Sequence, residues 1–249
     1  MNLSDQLIKE AFANEWHTCF YQPKVKTDSS VGCDNTDVIG VEALFRLDIP
    51  EHGIFAPGTF IDRAFALGYE ETIFFNVLEQ ALTEIRAVSP SLNLAVNISK
   101  QVLANPDNVA RVREMLWNSS FPAKQLTFEL SENDELSSLL ARQMESYKAL
   151  GIKFSVDDFG IGYSDIDKIQ KLSIDEVKFD RSLINKPVSE ASQLIETVIE
   201  YCRNRGISTV AEGVEDHTTR NRVQQLGFDS YQGFLYSQPV ALPDLMLLM

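Results

Sequence analysis

The sequence predicts an α/β protein folded as a TIM-like (β/α)8 barrel whose first two strands run antiparallel. Three observations carry this. Eight short β-favouring runs recur along the 249 residues. Most of the segments between them have helical periodicity. The one between the first two runs does not. Strands alternating with helices specify a mainly parallel sheet, and eight such units close into a barrel at about 250 residues. No linker or low-complexity stretch interrupts the pattern, so the chain reads as one domain over 1–249.

The first two runs are Cys19–Val25 and Val38–Phe45. The stretch between them, Thr27 to Asn35, clusters Asp, Ser, Gly and Asn and reads as a loop, so the two strands can pair as a hairpin. A long helix follows, Glu70 to Val88, with Ile73, Phe74, Val77, Leu78, Ala81, Leu82 and Ile85 on one face. Leu92–Ile98 and Leu126–Leu130 are the next strands, followed by a helix from Ser131 to Leu150. Lys153–Val156 and Glu176–Phe179 come next. Val188 to Arg205 is helical through Ala191, Leu194, Ile195, Val198, Ile199 and Cys202, with Gly206 placed to end it. Ser208–Ala211, a helix over Asp216–Leu226 closed by Gly227, and a strand over Tyr231–Tyr236 complete the set. The terminal Leu-Met-Leu-Leu-Met reads as a last core-packing turn.

Charge narrows the function. Thirty-six acidic residues against 22 basic ones give a net charge of −14. This argues against a groove for DNA or RNA and against an anionic-membrane binder. No run approaches the roughly 18 apolar residues of a membrane span, and Met1 to Glu10 has no apolar signal core. Cys19, Cys33 and Cys202 have no metal-binding spacing, which points to a reducing compartment and a cytoplasmic location.

Acidic and amide residues gather at the strand ends: Glu42, Asn97, Glu129 with Glu132, Asp157 with Asp158, Lys178 with Asp180, Glu212 with Glu215, and Gln232. In a barrel these ends converge on one face, where active sites of this fold lie. Any one strand-end carboxylate is more often a helix N-cap. A converging set would repel itself unless cations neutralise it. Oxygen donors without His or Cys favour Mg²⁺ or Mn²⁺ over Zn²⁺. His17, His52 and His217 fall outside this ring and read as surface or structural residues. Adjacent strand residues point to opposite faces, so Asp157 and Asp158 share a site only where the strand ends and turns, which Phe159-Gly160-Ile161-Gly162 would supply. Such a pair suits two metals about 3.5–4 Å apart with one Asp bridging them.

Val-Glu-Ala-Leu-Phe-Arg (41–46) and Asp-Asp-Phe-Gly-Ile-Gly-Tyr-Ser (157–164) resemble the two hallmark motifs of the EAL family, bacterial cyclic di-GMP phosphodiesterases. Tyr21-Gln22-Pro23, Asn97-Ile98-Ser99, Glu129-Leu130-Ser131-Glu132, Val177-Lys178-Phe179-Asp180, Ala211-Glu212-Gly213-Val214-Glu215 and Gln232-Gly233 match further blocks in order, over about residues 3–245. The resemblance implies hydrolysis of cyclic di-GMP to linear pGpG with two Mg²⁺ or Mn²⁺ ions. It implies Glu42, Asn97, Glu129 and Asp157 as ligands of one metal, and Asp157, Asp158 and Glu212 as ligands of the other. Glu212 would be the general base and Lys178 would orient the water. Gln22, Leu44, Arg46, Asp180 and Gln232 would meet the substrate, Arg46 through a phosphate. Glu132, Gly160, Gly162, Tyr163, Ser164 and Glu215 would form or hold a regulatory loop that couples homodimer contacts to the metal site. Control of motility and biofilm is the process the family implies.

Leu47, Asp62, Phe65, Asp165 and Gln238 depart from the family pattern, outside the metal set. They leave open a catalytically silent member acting as a cyclic di-GMP receptor or a protein-binding module.

Overall fold

A computed structural model describes residues 3–28, 37–131, 137–160, 169–170, 173–186 and 188–249, with backbone only for 188–192. The strands are β1 (His17–Lys26), β2 (Val38–Ile49), β3 (Gly53–Phe55), β4 (Asn93–Asn97), β5 (Leu126–Ser131), β6 (Lys153–Phe159), β7 (Glu176–Phe179), β8 (Ser208–Ala211) and β9 (Ser230–Tyr231). Eight close a ring in the order β1, β2, β4, β5, β6, β7, β8, β9 and back to β1. β1 is antiparallel to both its neighbours; every other pair in the ring is parallel. The antiparallel start expected from the missing helix is therefore present. β3 lies outside the ring as an antiparallel extension of β2, which is why β2 runs four residues past its expected end at Phe45.

Alternation along the strands separates two layers. One set of positions is apolar and joins the continuous core under the helices: Val41, Ala43, Phe45, Leu94, Val96, Phe128, Leu130, Phe154, Val156, Val177 and Phe179. The alternate positions, facing the lumen, carry Lys24, Glu42, Thr127, Glu129, Ser155 and Lys178, all buried. A barrel of eight strands is filled by its own side chains, and here the filling is largely charged. The long helix α3 (Glu70–Val88) buries the predicted apolar face plus Phe75, and Glu70 and Glu71 in its first turn favour the helix dipole.

Three expectations need correction. The helix after β5 covers Ser138–Lys148, not Ser131–Leu150, because Ser131 is still paired in β5 and Ser137 is the N-cap. The strand expected over Tyr231–Tyr236 stops at Tyr231. There the chain turns against the segment after β8: Val214 N donates to Gln232 O, and a Cβ on Gly233 would lie 2.2 Å from Val214 O. The strand expected to end at Val156 continues to Phe159. The terminal turn packs on the core as expected, through Leu245 and Met249, while Met246 and Leu247 are 59% and 82% exposed.

Shorter elements escaped the sequence pattern: Asp5–Ala13, Ile61–Ala66, Lys100–Ala104, Asp107–Ser119, Arg181–Ile184 and Leu242–Leu248 are helical. Among the described residues no helix is long and apolar enough to cross a membrane.

Candidate active site

Register places the site. In the parallel part of the ring Asn97 pairs with Glu129, and Ser131 with Asp157. Across the antiparallel pair Gln22 faces Glu42. The same-facing residues of neighbouring strands therefore converge at one end of the lumen.

Lys178 is their centre. Its ammonium, 1% exposed, lies 3.2 Å from Glu42 Oε2, 3.1 Å from Glu129 Oε2, 3.1 Å from Asp157 Oδ1 and 2.9 Å from Glu212 Oε1. Gln232 Nε2 donates to Glu42 Oε2 at 2.8 Å and to Gln22 Oε1 at 2.9 Å, while Asn97 Nδ2 donates to Glu42 Oε1 at 2.8 Å. Gln22 Nε2 reaches Ser237 O.

Asp158 reaches the site by a route the sequence did not suggest. The strand does not end at Val156. Its pairing with β7 is irregular between Val156 and Phe159, and Asp158 adopts φ +61°. This kink turns two adjacent carboxylates toward one place, and the Asp158 N–H donates to Asp157 Oδ1 at 3.0 Å. A non-glycine residue in the left-handed region is uncommon and is tolerated best by Asp and Asn. Just beyond it, Gly160 has φ +114° and lies so close to Leu183 that a Cβ would sit 2.7 Å from Leu183 Cβ.

The charges push on one another. Burial acts most strongly on Glu42 and raises its pKa, but Lys178 and the hydrogen bonds from Gln232 and Asn97 outweigh it and bring the carboxyl down to about 2. Glu129 is raised well above the usual range by burial and by Glu42 and Asp157. Glu212 is pushed up to about 7 by burial, with Asp157 and Glu42 adding and Lys178 opposing. Asp158 is raised by burial, Asp157 and Asp180. Burial lowers Lys178, yet Asp157, Glu129, Glu212 and Glu42 together hold it well above the ordinary lysine value.

Two carboxylate triads can each hold a metal ion: Glu42, Glu129 and Asp157, and Asp157, Asp158 and Glu212. Within each triad the ligand oxygens lie within 4.8 Å of one another, and Asp157 is common to both. The donors are all hard oxygens, the preference of Mg²⁺, Mn²⁺ or Ca²⁺. Four of these five carboxylates face the Lys178 ammonium, so acidic groups outnumber the lysine they surround and divalent cations would relieve their mutual repulsion.

Other expected residues lie around this centre. Leu44 lines the adjoining cavity. Arg46, on the same face of β2 as Glu42, packs over the Phe20 ring and donates to Phe45 O. Asp180 caps the following short helix, accepting from Ser182 N at 2.7 Å. Glu215 is exposed and paired with Arg181 at 3.0 Å. Glu132, Gly162, Tyr163, Ser164 and Asp165 lie outside the described residues. Of the other departures, Leu47 is buried in the core while Asp62 is exposed.

The histidines stand apart from the cluster. His17 lies near Asn76 and stacks on Phe45; His52 Nδ1 is 3.0 Å from Pro50 O; His217 begins its helix in an exposed position. Sequence reading missed the lumen beneath the site, where Lys24 lies 2.6 Å from Glu176 and 3.9 Å from Glu129. Lys24 follows Gln22 by two positions and shares its strand face, a period-2 signal that was available.

The EAL domain family model matches residues 5–239. The bifunctional diguanylate cyclase/cyclic di-GMP phosphodiesterase MucR of Pseudomonas aeruginosa is 32% identical over 96% of the chain, and the cyclic di-GMP phosphodiesterase RocR of the same organism is 28% identical over 89%. The chain spans 35% of MucR and 57% of RocR. The solved structure of the PaMucR phosphodiesterase in complex with c-di-GMP superposes with a TM-score of 0.85 at 30% identity, covering 96% of this chain and 98% of that one. A closed barrel with an antiparallel first pair, a carboxylate ring at its strand ends and a family model spanning nearly every residue lead to one assignment: the chain belongs to the EAL domain family.

Proposed function

We propose that this chain, as a single EAL domain, hydrolyses cyclic di-GMP to linear pGpG in the cytoplasm, with two Mg²⁺ or Mn²⁺ ions. The observation that carries the reading is the sharing of Asp157 between two oxygen-donor triads. The relatives named as cyclic di-GMP phosphodiesterases support the substrate.

Glu42, Glu129 and Asp157, with Asn97 at their edge, would hold one cation, and Asp157, Asp158 and Glu212 the other. Cations bound there supply positive charge to the phosphodiester and acidify a water. The chain's own groups do the rest. Glu212, on the edge of the second triad, takes the proton of the attacking water. The water oxygen bonds to phosphorus, the P–O3′ bond breaks, and the leaving 3′-oxygen takes up a proton from solvent water, while Glu212 later returns its own proton to solvent. Lys178, donating to carboxylates on both sides, orients the water and offsets charge on the phosphoryl oxygens. Gln232 fixes Glu42 and Gln22. Arg46 turns its guanidinium to the second phosphate.

The test is a chromatographic assay of pGpG from cyclic di-GMP with Mg²⁺, with Mn²⁺ and with EDTA. Metal-dependent pGpG is expected. Tight binding without product would replace this reading with that of a receptor.

A further inference from the structure

Beneath the carboxylate cluster the lumen holds a second buried cation, Lys24, 6% exposed. From β1 its side chain crosses the lumen to carboxylates on β5 and β7, each three strands away round the ring in opposite directions. Register explains the meeting. Glu129 pairs with Ser155, and Ser155 with Glu176. The two carboxylates therefore share one layer of the lumen, with a small residue between them. The ammonium enters from the opposite wall and lies 2.6 Å from Glu176 Oε1 and 3.9 Å from Glu129 Oε1. Under this layer a cavity of about 130 Å³ opens among the strand starts, lined by Lys24, Thr127, Glu176, Ser208 and Ser230.

Glu129 is thus held between two lysines. Its Oε2 accepts from Lys178 at 3.1 Å on the cluster side. Its Oε1 faces Lys24 and has no hydrogen-bond partner among the described residues. A carboxylate that ligates a metal binds best when an outer partner fixes its orientation. A buried ion pair, by contrast, adds little to a fold, since apolar groups of similar volume often replace it without loss. The Lys24–Glu176 pair therefore has little structural reason to sit in a barrel lumen, and its reach to Glu129 supplies another.

We infer that Lys24 is a positioning residue for the cation of the Glu42, Glu129 and Asp157 triad. Anchored by Glu176, it draws Glu129 Oε1 toward the barrel floor and leaves Oε2 aimed at the other two ligands. It acts through Glu129 alone, from the side of that carboxylate away from the cluster. The inference rests on the two-cation reading above and extends it to the floor of the lumen.

The experiment titrates the wild type, the double variant Lys24→Met with Glu176→Gln, and Thr127→Val with Mn²⁺ by calorimetry, and follows cyclic di-GMP turnover at low and saturating Mg²⁺. The double variant removes one positive and one negative charge, so the net charge beneath the triads is unchanged. One of its two Mn²⁺ affinities should fall by about tenfold, with the other within about threefold of wild type. Turnover should fall at low Mg²⁺ and recover at saturating Mg²⁺, with KM for cyclic di-GMP within about twofold. Thr127→Val alters the same floor without touching either charge and should keep both affinities. Melting temperatures in EDTA check folding, and Lys24→Leu with Glu176→Gln is a second replacement of the pair, with different packing and the same expected loss. Unchanged Mn²⁺ affinities in a folded pair replacement, or an equal loss in Thr127→Val, overturn the positioning role alone. A wild type that takes up no Mn²⁺ overturns the two-cation reading and the positioning role with it.

Discussion

The Lys178 ammonium lies 3.1 Å from Asp157 Oδ1, and Asp157 is the carboxylate shared by the two triads. One buried cation thus stands where two metal ions would draw on the same oxygens. It stabilises the metal-free cluster, and divalent cations would compete with it for those carboxylates.

Removing the shared carboxylate should therefore affect both cations. With Asp157→Ala, calorimetric titration with Mn²⁺ should show affinity lowered by at least about tenfold, in line with the loss of a charged ligand. A variant that still takes up two Mn²⁺ with wild-type affinity would contradict the bridging arrangement.

Lys178→Met should be costly chiefly without metal. It removes the ammonium facing four carboxylates. Stripping one partner from a buried ionic cluster costs about 3–5 kcal/mol, a fall in melting temperature of roughly 10 °C for a chain of this size. Differential scanning calorimetry in EDTA and in Mg²⁺ should show the loss in EDTA and a larger gain on adding Mg²⁺ than in the wild type. Equal losses in both buffers would mean that Lys178 does not balance the cluster.

Glu212→Gln should retain cyclic di-GMP binding and lose turnover by about 10²–10⁴-fold, the usual contribution of a positioned base. Undiminished pGpG formation would remove Glu212 from that role.

Metal affinity should also depend on pH. Glu212 is raised to about 7 in the metal-free protein, so its proton is favoured in the fold below that pH and must leave before the oxygen can ligate. Divalent affinity should rise from pH 6 to pH 8 with measurable proton release. The sign for stability is opposite: with a folded pKa raised above the ordinary carboxylate value, the contribution of the protonated group is present at low pH and fades as pH rises through about 7. Melting temperatures from pH 5.5 to 8.5, with and without Mg²⁺, test both directions. Flat affinity across that range would argue that Glu212 does not ligate.

Gly233→Ala should lower both stability and rate, because its Cβ would fall 2.2 Å from Val214 O and displace the turn that presents Gln232 to Glu42. Gly58→Ala is the control, since nothing lies within 4 Å of its Cβ. Equal effects of the two substitutions would show that the close approach is not what constrains Gly233.

The sequence by itself determined the barrel and the grouping of most residues of the candidate site. Period-2 and period-3.6 patterns are local, and Glu176–Phe179, Ser208–Ala211 and Val188–Arg205 appear with the bounds the pattern assigned. Strand ends in such a barrel must converge, so Glu42, Asn97, Glu129, Asp157, Lys178, Glu212 and Gln232 could be grouped before any coordinates. Tertiary structure decided what depends on neighbours. Asp158 enters the site through an irregular β6–β7 register and a positive φ, neither of which has a signature in a strand-like run. The last strand is cut short by Val214, a residue distant in sequence. The placement of Lys178 amid four carboxylates, which pushes Glu42 and Glu129 in opposite directions, arises from long-range Coulomb and desolvation effects. Such effects depend on distances between strands, and those distances exist only once the barrel closes.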